Sequence, residues 1–139
     1  MPDPTPTDPD LAPDYTALLT HAVSIAEGKL LKFNTFYPYG AVITTSGQIE
    51  NHNVLSGDDP PLLREILSTL ADTFSAGIAA GRWRSTALCM NVSCARQDNS
   101  GEIDALRVDL LHRSGSKVTF YIPYARTANG YTFERPFTR

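Results

Sequence analysis

Leu63, Ile66, Leu67, Leu70, Phe74 and Ile78 recur at helical spacing, which predicts an amphipathic helix over residues 60–81. Asp58 and Asp59 precede it, and Pro60 suits a first turn, where a missing N–H costs nothing. Gly77 and Gly81 thin its far end, and Arg82 and Arg84 complement the negative end of the helix dipole. A second helix is predicted over residues 14–27, with Tyr15, Leu18, Leu19, Ala22, Val23 and Ala26 on its apolar face and Gly28-Lys29 as the stop. His21 falls on the other side of that helix and reads as exposed.

The rest of the chain alternates with period two, or carries turn residues. Aromatic residues crowd around Pro38, which pushes Tyr37 towards an extended conformation. Gly40 permits a close backbone approach, and residues 41–45 form a strand. Ser46-Gly47 fits a hairpin turn, and residues 48–54 return. This return strand is polar on both sides through Asn51, His52 and Asn53, as befits a sheet edge.

After the central helix, residues 85–95 alternate Thr86, Leu88, Met90, Val92 and Cys94 against a smaller set, with no charged residue in the run. Residues 97–101 are turn chemistry, and residues 102–112 come back with Leu106, Val108 and Leu110 on one side. Ser114-Gly115 turns again into Val118, Phe120, Ile122 and Tyr124. Ala128-Asn129-Gly130 leads to a last short strand with Tyr131 and Phe133.

Short turns make these strands antiparallel neighbours, each with one apolar side. The expected fold is α+β: a two-layer sandwich in the order α-β-β-α-β-β-β, with an antiparallel sheet of five or six strands and both helices on one face. That order resembles the profilin-like group, including roadblock-type domains, across about residues 14–124, and differs at the end, where a hairpin replaces a helix. The resemblance implies the strand order 2-1-5-4-3, which leaves residues 48–54 at one edge and residues 85–95 at the other. A shorter stretch, Tyr39-Gly40-Ala41-Val42-Ile43 with the Ser46-Gly47 turn and Asn53-Val54, resembles the opening hairpin of cytidine deaminases. Those enzymes need a His or Cys followed by Glu, then P-C-x-x-C, to hold zinc. Here Arg64-Glu65 has no such neighbour, and Cys89 and Cys94 sit on a strand.

Composition narrows the picture modestly. The 139 residues make one domain over 14–139, and the Pro/Asp/Thr run of residues 1–13 reads as a flexible tail. Net charge is −3 with scattered Lys and Arg, which argues against nucleic acid. No apolar run suits a membrane span and the N-terminus lacks a secretion signal, so no membrane partner and a cytoplasmic location are expected. Cys89 and Cys94 point to opposite sides of one strand, so reduced, buried thiols are expected.

No catalytic motif, metal-ligand set or cofactor fingerprint stands out. His21, His52 and His112 are dispersed, and Cys89 has no evident base. Arg107 and Asp109 share the outer side of one strand, with Asn91 and Ser93 expected opposite them. Two surfaces are candidates. One is a ligand pocket rimmed by Tyr37, Tyr39, His52 and Asn53. The other is an interface of Trp83, Arg84, Leu88, Met90 and Val92, where residues 85–95 would pair with a second copy to make a homodimer. The expected function is a non-catalytic binding or self-assembly module, with a protein partner. The alternative is a small-molecule binder or metal-free enzyme using the tyrosine pocket.

Overall fold

Helix α1 spans Leu11–Phe33 in the computed structural model, which describes residues 9–53, 62–96 and 98–138. It is longer at both ends than the expected 14–27. Pro13 lies in the first turn, where no backbone N–H is needed. Gly28 does not stop the helix because it faces outward, where an added Cβ would meet nothing within 4 Å. The following residues still bury Leu30, and the end comes at Asn34, which adopts φ 63° and donates its N–H to the Leu30 carbonyl. The expected flexible tail therefore gives way to helix from Leu11; residues 1–8 lie outside the described residues.

Strands β1 (Tyr39–Thr44) and β2 (Ile49–His52) form the first hairpin. Helix α2 (Leu63–Ala79) follows; Asp58, Asp59, Pro60 and the loop before them lie outside the described residues. Gly81 takes φ +73°, which lets Arg82 N–H reach the Gly77 carbonyl at 2.8 Å and close α2. The chain then meanders through β3 (Trp83–Ala95), β4 (Glu102–His112), β5 (Lys117–Thr127) and β6 (Gly130–Phe133). A final β7 (Phe137–Thr138) pairs with β5, where Phe137 stacks on Tyr121.

The sheet is antiparallel and seven-stranded, in the order β2-β1-β3-β4-β5-β6 with β7 off that path. The α+β class and the polar edge strand β2 are as expected. The order 2-1-5-4-3 is not: β3 lies inside the sheet, between β1 and β4. Successive hairpins keep β3, β4 and β5 adjacent, and β1 takes the remaining flank of β3.

The two helices do not share a face. Tyr39, Ala41 and Ile43 of β1, with Ala87 and Cys89 of β3, join the cluster packed on α1 through Leu18, Ala22, Ala26 and Leu30. Val42 and Leu88, the residues of opposite parity, join Ile66, Leu70, Phe74 and Trp83 under α2. A layer therefore lies on each side of the sheet, and the two-layer arrangement gives way to a sheet flanked by α1 and α2. The cause is topological. β2 and β3 both run antiparallel to β1, so α2 is a crossover between two parallel strands that skips one. Such crossovers have one strongly favoured hand, so the hairpin decides which face receives α2, whatever stripe the helix carries.

A buried polar cluster fastens the start of α1 to the β3–β4 end. Asp14, 2% exposed, accepts Arg84 Nε at 3.0 Å, Arg84 Nη2 at 2.8 Å and Ser85 Oγ at 2.5 Å. Neighbouring residues reach one carboxylate because the β1–β3 register slips between Ile43 and Thr44, which leaves Arg84 at a bulge. Arg113 adds a 2.6 Å ion pair to Asp10, just ahead of α1.

Candidate functional site

Pro38 sets the geometry of the site. It has no N–H to donate, and the β1–β3 ladder begins only after it, at Tyr39 opposite Cys89. β1 has six residues and β3 thirteen, so β3 continues beyond its ladder with β1 while still paired to β4. Among the described residues, none pairs in a ladder with residues 90–94 on the β1 flank. The gap ahead of Tyr39 is a groove of about 600 Å3. Lys29 and Phe33 of α1 form one wall, Tyr37 and Pro38 the blocked end, and Leu63 and Leu67 of α2 the opposite wall. Met90 and Val92 form the floor. Phe33, Tyr37 and Leu63 are 60%, 60% and 54% exposed, so the apolar rim is open to solvent.

Polar groups in the groove are few. Asn91 is held in place, accepting the Tyr124 hydroxyl at 2.6 Å and donating to Thr35 Oγ1 at 3.3 Å. Lys29 Nζ sits 4.7 Å from the centre of the Tyr39 ring. Half-burial of Lys29 pulls its pKa below the ordinary lysine value, which the nearby Cys89 thiol opposes. No carboxylate pairs with it among the described residues.

The expected site residues fall into different places. Tyr37 joins Met90 and Val92 at the gap, so part of the tyrosine rim and part of the interface meet there. Tyr39 is buried; its hydroxyl donates to the Ala22 carbonyl at 2.6 Å, and burial pushes its pKa up. His52 lies across the sheet from Tyr39, edge-on to Phe74 and Trp83, and Asn53 is exposed just past β2. The structure thus does not bring Tyr39 and His52 into one pocket. Trp83 is core, packed against Gly77; Arg84 is committed to Asp14; Leu88 is covered by α2. The homodimer edge expected over residues 85–95 is closed by β1 as far as Cys89.

His21 is not merely exposed: its Nε2 contacts Asn51 Oδ1 of β2 at 2.5 Å. Asn91 pairs with Leu106, on the α1 face, so neither it nor Ser93 lies opposite Arg107 and Asp109. Those two form an ion pair at 3.0 Å on the other face, and Asp109 also accepts Thr119 Oγ1 at 2.8 Å. A larger groove of about 850 Å3 borders this face beside α2, but Asp109 on its floor is already occupied by Arg107 and Thr119. The smaller gap is the better candidate because, among the described residues, its strand flank has no ladder partner and its lysine no carboxylate.

Lys29 was legible only as part of a helix stop, Phe33 only as one of the aromatic residues around Pro38, and Leu63 and Leu67 only as a core stripe. The signal that exposes the site is Pro38 set just before a short strand that faces a long one.

The thiols differ. Cys89 is buried beside Tyr39, and burial pushes its pKa up to about 12; Cys94 is half-buried rather than buried, as had been expected. Iodoacetamide at mildly alkaline pH should therefore modify Cys94 alone in the native protein and both thiols after denaturation, read by mass spectrometry. Rapid double labelling of the native protein would contradict the burial of Cys89.

The chain matches no protein-family model, no curated protein and no solved structure. No helix among the described residues is long and apolar enough to cross a membrane.

Proposed function

We propose that the protein is a non-catalytic binding module that adds an extended segment of a protein partner to the open flank of β3. One observation carries this reading: β3 outruns β1, which among the described residues leaves 90–94 with a strand partner on one side only, beside a groove with an apolar rim. Backbone pairing supplies affinity in such additions, and pockets for alternate side chains supply selectivity. The inert Cys89 and the self-satisfied Arg107–Asp109 pair give no nucleophile or base that would favour an enzyme. Two free thiols suit a reducing, cytoplasmic setting.

A second reading is self-pairing of residues 90–94 about a two-fold axis, which would make a homodimer. The absence of charge from residues 85–95 favours it, because across such an axis a charged residue would face its own kind.

Val92→Lys tests both readings. It places a charge on the floor of the groove at a position that is half-exposed, so the fold tolerates it. Extended peptides selected on the native protein should lose most of their affinity for the variant. A dimer seen by sedimentation at tens of micromolar should dissociate. Peptides that bind the variant as well as the native protein would place the working surface elsewhere.

A further inference from the structure

The charge at the blocked end of the gap says which end of a segment belongs there. β1 runs away from the gap, starting at Tyr39 and antiparallel to β3. A segment in line with β1 and of the same direction would run alongside residues 94 to 90 and arrive at Pro38 and Tyr39 with its own C-terminus. The Thr35–Pro38 connection enters β1 at that point, so the added strand has to stop. Lys29 Nζ stands over Tyr39 at this stop, half-buried and without a carboxylate among the described residues. A segment of the opposite direction would bring an N-terminal ammonium to the same place, against a like charge.

We infer that the gap captures the free C-terminus of a polypeptide, with the terminal carboxylate on Lys29, the backbone paired to residues 90–94 of β3, and an apolar last side chain between Leu63, Leu67 and Tyr37. This inference rests on the strand-addition reading and adds to it the end, direction and terminal chemistry of the partner. The exposed Phe33, Tyr37 and Leu63 select apolar over charged residues at that end, since charge placed against them would lose its hydration without repayment. A partly desolvated ammonium also strengthens its attraction for a carboxylate, because fewer waters screen the pair. An internal strand from a second copy leaves Lys29 without an anion, so this occupant is distinguishable from self-pairing.

The test selects short peptides from a display library with free C-termini against the full chain. The selected sequences are then synthesised as the free acid and as the C-terminal amide and titrated by fluorescence anisotropy. The acid should bind about tenfold or more tightly than the amide, as expected for a hydrogen bond to a charged group. Lys29→Gln should erase that difference, so that the variant binds acid and amide equally. Val92→Lys should weaken acid and amide together. Equal binding of acid and amide to the native protein would overturn the C-terminal inference and leave strand addition standing. Indifference of both forms to Val92→Lys would overturn strand addition itself. A library that yields no binder, beside a dimer that Val92→Lys disrupts, would assign the gap to a second copy and overturn the inference.

Discussion

Asp14→Ala is expected to destabilise the fold by about 3–5 kcal/mol, because it removes the acceptor from a buried charged cluster without removing the donors. Arg84 loses two hydrogen bonds, and Ser85, fully buried, loses its partner. Asp10 lies 3.8 Å from Arg84 Nη1 and offers partial compensation, which places the loss towards the lower end of that range. Chemical denaturation with a two-state fit measures it. Asp14→Asn keeps the shape and one acceptor, so it should cost less. The double variant Asp14→Leu/Arg84→Met, which removes both charges, should recover much of the loss. A change under about 1 kcal/mol for Asp14→Ala would mean that α1 is not fastened to the sheet by this carboxylate.

Glycine-to-alanine substitutions at three positions should give opposite signs according to what lies beside the new methyl. At Gly77 in α2 an added Cβ would overlap Trp83 ring carbons Cε3 and Cζ3. Trp83 is itself wedged edge-on against Phe74 and His52 and has little room to move. Overpacking of this kind costs about 1–3 kcal/mol, against roughly 1 kcal/mol gained from the helix propensity of alanine. Net destabilisation of up to about 2 kcal/mol is therefore expected at Gly77. Gly40 in β1 meets the Phe74 ring in the same way and has no helix propensity to offset it, so Gly40→Ala should cost more. At Gly28 in α1 the Cβ meets nothing, and Gly28→Ala should stabilise by about 0.5–1 kcal/mol. None of the three has a positive φ, so backbone strain does not confuse the comparison. Thermal melts of the three variants measure the effect; stabilisation by Gly77→Ala would contradict the close packing of α2 on Trp83.

Period-two and helical patterns were enough to find both helices and the main strands, including the polar edge at β2. They were not enough to place α2. An amphipathic stripe states that a helix must be covered but not by which side of a sheet. The clue lay in β1, where Ala41, Val42 and Ile43 form an unbroken apolar run, the mark of a strand covered on both faces. Asp14 and Arg84 lie too far apart in sequence for any local pattern to pair them, so the buried cluster was invisible. The same holds for the gap: Lys29 reads locally as a helix-ending residue, and only the β1–β3 register brings its ammonium to the end of an open strand flank. Leu63 and Leu67 belong to the predicted stripe of α2, yet they overhang the gap that lies ahead of the start of β1 at Tyr39.

Residue-resolved amide exchange in the isotopically labelled protein tests the gap most directly. Residues 85–89, flanked by β1 and β4, should exchange slowly throughout, whereas residues 90–94 should show fast exchange at those amides that point away from β4. Saturation with a selected peptide should slow those same amides and leave the rest of β3 unchanged. Uniform protection along the whole of β3 in the free monomer would contradict the account, since it would mean that the flank beyond Tyr39 is already filled.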